Sequence, residues 1–426
     1  MTKTRQTDFV INRRNIIKNI ATLFSGSAIA QFISAITILL TARQLGPEQY
    51  GQYTGTMILA LFCSIVFSLG FKIWLLQAGG RSPNKIGDLV GSVLAFMVCV
   101  GLVWLVAMYF IAEVINSSSM PTELIRLACV IVFIDNLFMV VLTGFKAILC
   151  NNVNSILQVA SSTLIFFVIL YLISTGKKQA AIYMQAQVIV LIISLIFALI
   201  IARYYIQIRP SRSSIKLAII ESPPYAISEF LTWTYIRVDV LIIAFVLNDY
   251  AVGIYAPAEG IINALYLVPL AINAVMIPVL SKLFSTNINQ AWATTRRFII
   301  ILFVSGFALF IVLYFGAKYL IYILGSSYAN SQEIIQILSI ILLLHSVTFG
   351  VAAILVATNQ QAKRTVIQAI AVVINIGLNF LVINRWGITG VAFVYVFTEF
   401  LLLIGYSFLV VRYRKQSFED IQAITN

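Results

Sequence analysis

The feature that most constrains this chain is a succession of apolar runs of about twenty residues, the length a helix needs to cross a bilayer. Only helices and closed barrels satisfy their backbone hydrogen bonds inside a bilayer. The runs show no alternation of apolar and polar residues, and barrel strands would require that alternation. The sequence therefore predicts an all-α integral membrane protein.

Charges and turn-forming residues cluster at the breaks between the runs, as at Leu45-Gly46-Pro47-Glu48 and Arg81-Ser82-Pro83-Asn84. These breaks divide the chain into about twelve spans joined by short loops. The predicted spans are residues 18–42, 54–78, 89–113, 124–147, 156–173, 182–203, 225–248, 255–280, 298–316, 332–356, 365–384 and 387–411. An even number of spans brings both termini to the same side of the membrane.

Composition excludes a soluble fold and removes the need for a nucleic-acid partner. The chain is 61% hydrophobic and 10% charged, whereas soluble domains have about 45–50% apolar and about 25% charged residues. Its formal net charge is +13. In membrane proteins Lys and Arg collect in cytoplasmic loops, where they also contact anionic lipids. We therefore expect membrane lipids, and not nucleic acid, as partners of the basic residues.

The basic residues outside the predicted spans are distributed unequally between the two sides of the membrane. Most of them lie on the side of the N-terminal tail. The opposite side has Arg43, Lys177, Lys178, Lys318 and Arg385. The positive-inside rule then predicts that both termini are cytoplasmic.

A weak internal repeat suggests two lobes. Tyr50-Gly51-Gln52-Tyr53 leads into the second span, and Val252-Gly253-Ile254-Tyr255 leads into the eighth. The longest basic loop, residues 204–224, falls between them. We predict an N-terminal lobe at residues 1–210 with spans one to six and a C-terminal lobe at 211–426 with spans seven to twelve. Such parallel repeats place a substrate path at the lobe interface.

Four motifs in order resemble those of one transporter family. The first loop reads Thr41-Ala42-Arg43-Gln44-Leu45-Gly46-Pro47-Glu48-Gln49-Tyr50-Gly51. The others are Arg237-Val238-Asp239 with Val252-Gly253-Ile254-Tyr255-Ala256, Gly325-Ser326-Ser327-Tyr328, and Asn375, Asn379, Trp386-Gly387-Ile388-Thr389-Gly390 and Glu399. Together they resemble the Wzx-type polysaccharide flippases of the MOP superfamily, whose fold is MATE-like.

The resemblance implies a multi-pass flippase of the bacterial cytoplasmic (inner) membrane. It implies a substrate, an undecaprenyl-pyrophosphate-linked oligosaccharide, moved to the outer leaflet for surface polysaccharides such as the O-antigen of lipopolysaccharide. The resemblance further implies that the protein has no cofactor and that it works with polysaccharide polymerase machinery as a partner.

Basic side chains inside or beside the spans are candidates for contact with a pyrophosphate. Arg237 lies at the middle of its span, and a guanidinium is suited to phosphate oxygens. The alternative for Arg237 is an ion pair with Asp239, Asp135 or Glu399. Lys72 would add a second cation to the same cavity, or it snorkels to the interface. Arg43 is expected at the outer mouth of the cavity, or it anchors the loop.

Buried acids and the single histidine are candidates for ion coupling. A charge at the bilayer centre costs about 2.5–3.5 kcal/mol on insertion scales, so such residues are paired, hydrated or functional. The candidates are Asp135, Glu229, Asp239, Glu259, His345 and Glu399. They could exchange a proton or hold Na⁺ during transport, or they balance buried cations. Asp135 has Asn136 and Thr143 on the same span as additional oxygen donors.

Other functions are less favoured by the sequence. No long outer loop with clustered acids and bases is present, so a membrane enzyme is not expected. The chain contains no GxxxxGK[ST] phosphate-binding loop and no Cys/His spacing typical of a metal site. The alternative transporter is a MATE-type cation-coupled multidrug antiporter, which should have an acidic cavity.

Overall fold

The computed structural model describes the backbone of residues 13–425 except Ser118 and the side chains of residues 26–416 except 118, 271, 274 and 275. All regular structure in this part of the chain is helical. The helices are α1 (Arg13–Cys63), α2 (Ile65–Ser68), α3 (Phe71–Arg81), α4 (Ile86–Ile115), α5 (Thr122–Ala147), α6 (Asn151–Ser174), α7 (Ala180–Tyr205), α8 (Arg212–Glu221), α9 (Pro223–Val246), α10 (Asp249–Leu265), α11 (Leu267–Thr286), α12 (Ile288–Leu324), α13 (Ser331–Ala357) and α14 (Gln361–Thr425). Two short 3₁₀ turns, Pro83–Lys85 and Ser326–Tyr328, precede α4 and α13.

The predicted all-α membrane fold of about twelve spans is confirmed. Within the described residues, nine helical stretches are long and apolar enough to cross a membrane. Two of them contain a non-helical glycine, Gly46 in α1 and Gly387 in α14, and each therefore divides into two arms. The helix α9 is a further membrane-length segment, and it carries Glu229, Arg237 and Asp239.

Two of the spans are broken rather than straight. The second span continues from α1 through α2 to α3, with breaks at Ser64 and at Leu69-Gly70, where both φ angles are positive. The eighth span consists of α10 and α11, which meet at Tyr266. A break in a membrane helix leaves backbone groups that neighbouring residues must satisfy, so such breaks occur where helices are buried in protein or line a cavity.

The helices pack mainly with others of the same chain half. In the first half α5 packs against α3, α4 and α7, and α1 packs against α6. In the second half α13 packs against α11, α12 and α14, and α14 packs against α9. Contacts between the halves run chiefly through α1, which touches α9 and α10. The division into lobes 1–210 and 211–426 remains a prediction.

Candidate functional site

A cavity of about 420 Å³ lies between the two halves of the bundle. The first half contributes both arms of α1, together with α5, α6 and α7, and the second half contributes α9 and α10. The cavity is thus bounded by the broken helices α1 and α10 and by α9, which contacts α1 and carries Arg237. Because it lies between the halves, a rearrangement of one half against the other would change its access.

Most polar groups of the cavity wall are hydroxyls and amides from the first half. They include Thr37, Thr41, Tyr50, Tyr53, Thr54 and Gln187. The Tyr53 hydroxyl donates to Gln187 Oε1 at 2.6 Å. Ile38, Met57, Ile58 and Ile165 supply apolar wall. A wall of this kind can donate to and accept from a polyhydroxy ligand while also contacting an apolar group.

Arg237 on α9 lines the cavity and is the basic residue on its wall. Its side chain is 26% exposed, and its Nη1 donates to Glu259 Oε2 at 2.9 Å. Glu259 on α10 is 2% exposed and also accepts from Asn263 Nδ2 at 3.3 Å. The ion pair predicted as the alternative for Arg237 does form, but its partner is Glu259. Helix α10 packs directly against α9, which brings Glu259 to the guanidinium.

Asp135 on α5 lines the same cavity as Arg237. Asn136 and Thr143 were expected to supply further oxygen ligands beside Asp135, but both side chains hydrogen-bond to backbone carbonyl groups of α5 itself. Asn136 Nδ2 donates to Val132 O at 2.8 Å, and the Thr143 hydroxyl donates to Met139 O at 2.8 Å. The cavity wall therefore carries one acid and one base.

Lys72 lies outside this cavity. Its Nζ is 3.0 Å from Glu229 Oε1, beside a small chamber of about 10 Å³. This chamber shares Leu61 and Trp233 with the main cavity. The breaks between α1 and α3 change the direction in which the helix presents its side chains, so Lys72 reaches the next chamber. Arg43 is exposed and does not line the cavity.

A buried polar chain runs through the second half, starting at Asp239 on α9. Asp239 accepts from the Tyr255 hydroxyl at 3.3 Å and from Asn379 Nδ2 at 2.8 Å. Asn379 Nδ2 is also 3.0 Å from Asn375 Oδ1, and Asn375 Nδ2 donates to Thr398 Oγ1 at 3.3 Å. Asp239 points away from Arg237, as expected for residues two apart on a helix.

His345 and Glu399 form a second buried pair. His345 Nδ1 lies 3.1 Å from Glu399 Oε1, and the side chains are 8% and 0% exposed. The ring of Tyr266, at the junction of α10 and α11, stacks on His345 with ring centroids 4.2 Å apart. The six predicted coupling residues are therefore distributed over five places: Asp135 on the cavity wall, Glu259 beside Arg237, Glu229 beside Lys72, Asp239 in the polar chain, and His345 with Glu399.

Several contributors to these clusters had no predicted role, among them Tyr255, Tyr266 and Thr398 and the two asparagines on α14. Asn375 and Asn379 are one helical turn apart inside an apolar run and are fully buried. Polar residues at that spacing in a membrane helix face one side, which is a signal that they share a partner. Within the described residues no group of three or more His, Cys, Asp and Glu side chains is arranged to hold a metal ion.

Comparison with known proteins gives a family match and a curated relative. The model of the family described as "Polysaccharide biosynthesis protein" matches residues 16–284. The capsular polysaccharide biosynthesis protein CapF of Staphylococcus aureus is 21% identical over 413 residues. That match covers 93% of this chain and 100% of CapF.

Solved structures with similar folds are transporters. An inward-facing MATE-family multidrug resistance transporter of the MOP superfamily matches with a TM-score of 0.70 and 15% identity, covering 92% of this chain and 96% of that chain. The lipid II flippase MurJ in an inward closed conformation matches with a TM-score of 0.69 and 16% identity, covering 91% and 87%. At these identities the similarity concerns the fold.

Proposed function

We propose, from the premise that the chain belongs to the polysaccharide biosynthesis protein family, that it flips a polyprenyl-pyrophosphate-linked oligosaccharide across the membrane. The membership confirms the resemblance indicated by the loop motifs. CapF, similar over its whole length, is named for capsular polysaccharide biosynthesis, and a flippase shares the fold. The proposed location is the bacterial cytoplasmic membrane with both termini cytoplasmic, and the proposed activity is transport without catalysis.

The observation that carries the proposal is the position of Arg237 in the cavity between the halves. A pyrophosphate must cross an apolar barrier, and a partly desolvated guanidinium can hold its oxygens through several hydrogen bonds. Glu259 keeps Arg237 paired before the substrate arrives. The guanidinium has five N–H donors, and only Nη1 is used for Glu259, so the remaining N–H groups could bind a pyrophosphate while the buried carboxylate keeps its partner.

The rest of the cavity wall supports a glycan attached to a lipid tail. The hydroxyls and amides of the first half can hydrogen-bond to sugar hydroxyls. Ile38 lines the cavity and is 41% exposed, and Met57, Ile58 and Ile165 supply further apolar wall. An apolar wall of this kind would contact the first units of a polyprenyl chain while the polar side chains bind the head group.

The Asp239 chain supports coupling of this transport to Na⁺ or H⁺. Asp239 and the amides of Asn375 and Asn379 supply the oxygen ligands that Na⁺ prefers, as carboxylate and carbonyl groups do for other hard cations. Asn379 Oδ1 is buried, and among the described residues it has no hydrogen-bond partner. Transport in proteoliposomes under an imposed Na⁺ or proton gradient tests this proposal. A rate that is equal with and without both gradients, in wild type and Asp239→Asn alike, would rule it out.

The flippase proposal is tested with labelled polyprenyl-pyrophosphate oligosaccharide in proteoliposomes, comparing wild type with Arg237→Ala. The matched control is Arg126→Ala. Arg126 is also a helical arginine paired with one glutamate, Glu113, at 2.7 Å, and is 29% exposed, but it does not line the cavity. We expect a loss of about 10- to 100-fold for Arg237→Ala, as for loss of one or two charge-assisted hydrogen bonds. Arg126→Ala should retain transport.

Two other outcomes would change the proposal. Equal transport by wild type and Arg237→Ala would leave Arg237 only the role of balancing Glu259. No transport of any lipid-linked glycan by wild type, together with proton-linked efflux of organic cations, would replace the flippase with the MATE-type antiporter. In that case Asp135, which shares the cavity with Arg237, would be the candidate for cation contact.

A further inference from the structure

A second large cavity lies away from the transport cavity, at the end of the bundle where α3 and α4 meet. It has a volume of about 400 Å³ and lies between the 3₁₀ turn Pro83–Lys85 and α8. Arg81 and Lys85 line it from one side, and Ser213 and Leu217 of α8 line it from the other. None of these residues takes part in the transport site described above.

The charges of this cavity favour an anion. Arg81 and Lys85 are exposed, and no described acid forms an ion pair with either of them. The one acid on the wall is Glu221, whose Oε2 accepts from Trp74 Nε1 at 2.9 Å. Ser82 and Ser213 add hydroxyls to the wall. Two cations with hydroxyls beside them form the kind of group that binds phosphate oxygens.

The wall formed by α8 is held in place by backbone contacts to α4. The Ser92 hydroxyl donates to Ser211 O at 3.0 Å and accepts from Ser211 N at 2.9 Å. Arg209 N donates to Gly87 O at 3.1 Å. These bonds attach the segment before α8 to the beginning of α4, next to Lys85. The cavity is therefore part of the folded structure and not a gap beside a loose helix.

The outer surface of α8 is suited to the boundary of a bilayer. Leu217 and Ile220 are 44% and 64% exposed, although α8 is too short to cross a membrane. Arg212 and Lys216 on the same helix are also exposed. A helix with exposed apolar side chains and basic residues lies in the membrane interface and attracts anionic lipids. Leu217 belongs both to this surface and to the cavity wall, so the cavity opens toward the acyl chains.

We propose that this cavity binds the phosphate group of an anionic phospholipid. Arg81 and Lys85 hold the phosphate, Ser82 and Ser213 donate to it, and the acyl chains lie along the exposed side of α8. Basic pockets between membrane helices bind such head groups. The site is additional to the proposed glycan transport and does not depend on it.

Occupation of the site would also affect the contact between the two halves. Glu221 lies in the cavity wall, accepts a hydrogen bond from Trp74 of α3, and is the last residue of α8, two residues before α9 begins. Within α9, Glu229 pairs with Lys72 of α3 at 3.0 Å. A lipid bound between Lys85 and α8 would therefore stabilise the position of Glu221, and with it the Trp74–Glu221 contact between the halves.

The test uses the full-length protein in detergent and compares three additions, phosphatidylglycerol, phosphatidylcholine and inorganic phosphate. Native mass spectrometry counts bound lipids, and thermal unfolding gives Tm. The variant is R81Q/K85Q, and the matched control is K177Q/K178Q, which removes two exposed charges from another loop. Wild type and control should bind phosphatidylglycerol, and R81Q/K85Q should bind it about 10-fold or more weakly, as expected for two cations near a lipid surface.

Each of the remaining outcomes overturns the proposal. Equal phosphatidylglycerol binding by R81Q/K85Q and wild type would show that the lipid binds elsewhere. Equal stabilisation by inorganic phosphate and by phosphatidylglycerol would assign the site to a free anion. The charge-conserving variant R81K/K85R separates binding from folding. A lowered Tm of R81Q/K85Q in phosphatidylcholine would mean that this variant is also less stable. In that case R81K/K85R must bind phosphatidylglycerol as wild type does, and weaker binding by R81K/K85R would reject the site.

Discussion

The two halves of the bundle meet at both ends of the transport cavity, and the two ends are built from different contacts. One end, which we call the glycine seam, consists of Pro47, Gly51, Asp249 and Gly253. The other, the charged seam, consists of Lys72, Trp74, Glu221 and Glu229. The cavity reaches from Tyr50 beside the glycine seam to Leu61 and Trp233 beside the charged seam.

At the glycine seam the backbones of α1 and α10 touch. A Cβ atom on Gly51 would lie 1.8 Å from Asp249 O, and one on Gly253 would lie 1.8 Å from Pro47 O. Any other residue would therefore push the helices apart. The neighbouring Gln52 Nε2 donates to Asp249 Oδ2 at 3.0 Å.

At the charged seam long side chains span the contact. Lys72 pairs with Glu229, and Trp74 donates to Glu221. The Tyr225 hydroxyl donates to Gln77 Oε1. One close backbone contact is present, since a Cβ on Gly70 would lie 2.4 Å from Ala226 N. Side chains of this length can separate and re-pair while the helices move.

The comparison indicates that the two ends differ in how well they tolerate substitutions. A backbone contact either forms or is blocked, because packed interfaces change between discrete arrangements. An ion pair in a partly exposed place contributes a graded amount. If transport requires both ends to close in turn, a substitution at the glycine seam should have the larger effect.

The largest effect is expected for Gly51→Ala. The added methyl group prevents the approach of α1 to α10, and overpacking of this kind costs about 1–3 kcal/mol. We expect a loss of transport of about 10- to 100-fold in proteoliposomes, with the protein still folded. Accessibility of a cysteine introduced at Gln52 to a membrane-impermeant thiol reagent should increase, because the seam stays open.

The control for this prediction is Gly377→Ala in α14, where an added Cβ would meet no atom within 4 Å. Both substitutions raise helix propensity equally, so their difference isolates the steric contact. Wild-type transport by Gly51→Ala would mean that the glycine seam need not close.

A smaller effect is expected for Lys72→Gln at the charged seam. The side chains of Lys72 and Glu229 are 27% and 11% exposed, so the pair is partly screened by solvent. We expect transport to fall by about 2- to 5-fold, corresponding to about 0.5–1 kcal/mol. The exchanged pair Lys72→Glu/Glu229→Lys should recover most of the loss. Poorer transport by the exchanged pair than by either single variant would give Lys72 a role other than closing the seam.

The sequence predicted the helices better than their contacts. The lengths of the apolar runs and the breaks at Gly46-Pro47 and Ser82-Pro83 located the spans. Each span can be recognised by itself, because every segment that crosses the lipid must satisfy its own backbone polar groups. The similar sequences around Gly51 and Gly253 also showed as a repeat. That these glycines touch each other could not be read from the sequence, because contact depends on how two distant helices cross.

The same limitation applies to the charged residues. Arg237 was singled out by its depth in the span, but its partner Glu259 was not among the acids considered for pairing. Periodicity gives the face of a helix on which a residue lies, but it does not give the rotation of one helix against another. Lys72 was expected beside Arg237, and the breaks at Ser64 and Leu69-Gly70 explain its different position. Helix breaks of this kind leave little trace in an apolar run.

The smallest effect is expected for Tyr328→Phe, at the same end as the glycine seam. Tyr328 lies in the 3₁₀ turn before α13, and its hydroxyl donates to Ala42 O at 2.6 Å, joining the halves through one side-chain hydrogen bond. Its loss should lower the free energy of unfolding by about 0.5–1.5 kcal/mol, and more if Ala42 O is left without a partner. Transport should stay within about 3-fold of wild type, because Gly51 and Gly253 still close the seam.

The pH dependence of stability separates this hydrogen bond from the glycine contact. Burial raises the pKa of Tyr328 above its usual value of 10.0. A raised pKa in the folded protein means that the stability from Tyr328 is complete below about pH 10 and is lost above it, where the phenol of the unfolded chain ionises. Wild type should therefore lose more stability than Tyr328→Phe between pH 9 and pH 11, in Tm measured by differential scanning fluorimetry. Parallel pH curves for the two proteins would show that the buried Tyr328 hydroxyl does not help to hold the halves together, which would leave that role to the glycine contacts and the Gln52–Asp249 hydrogen bond.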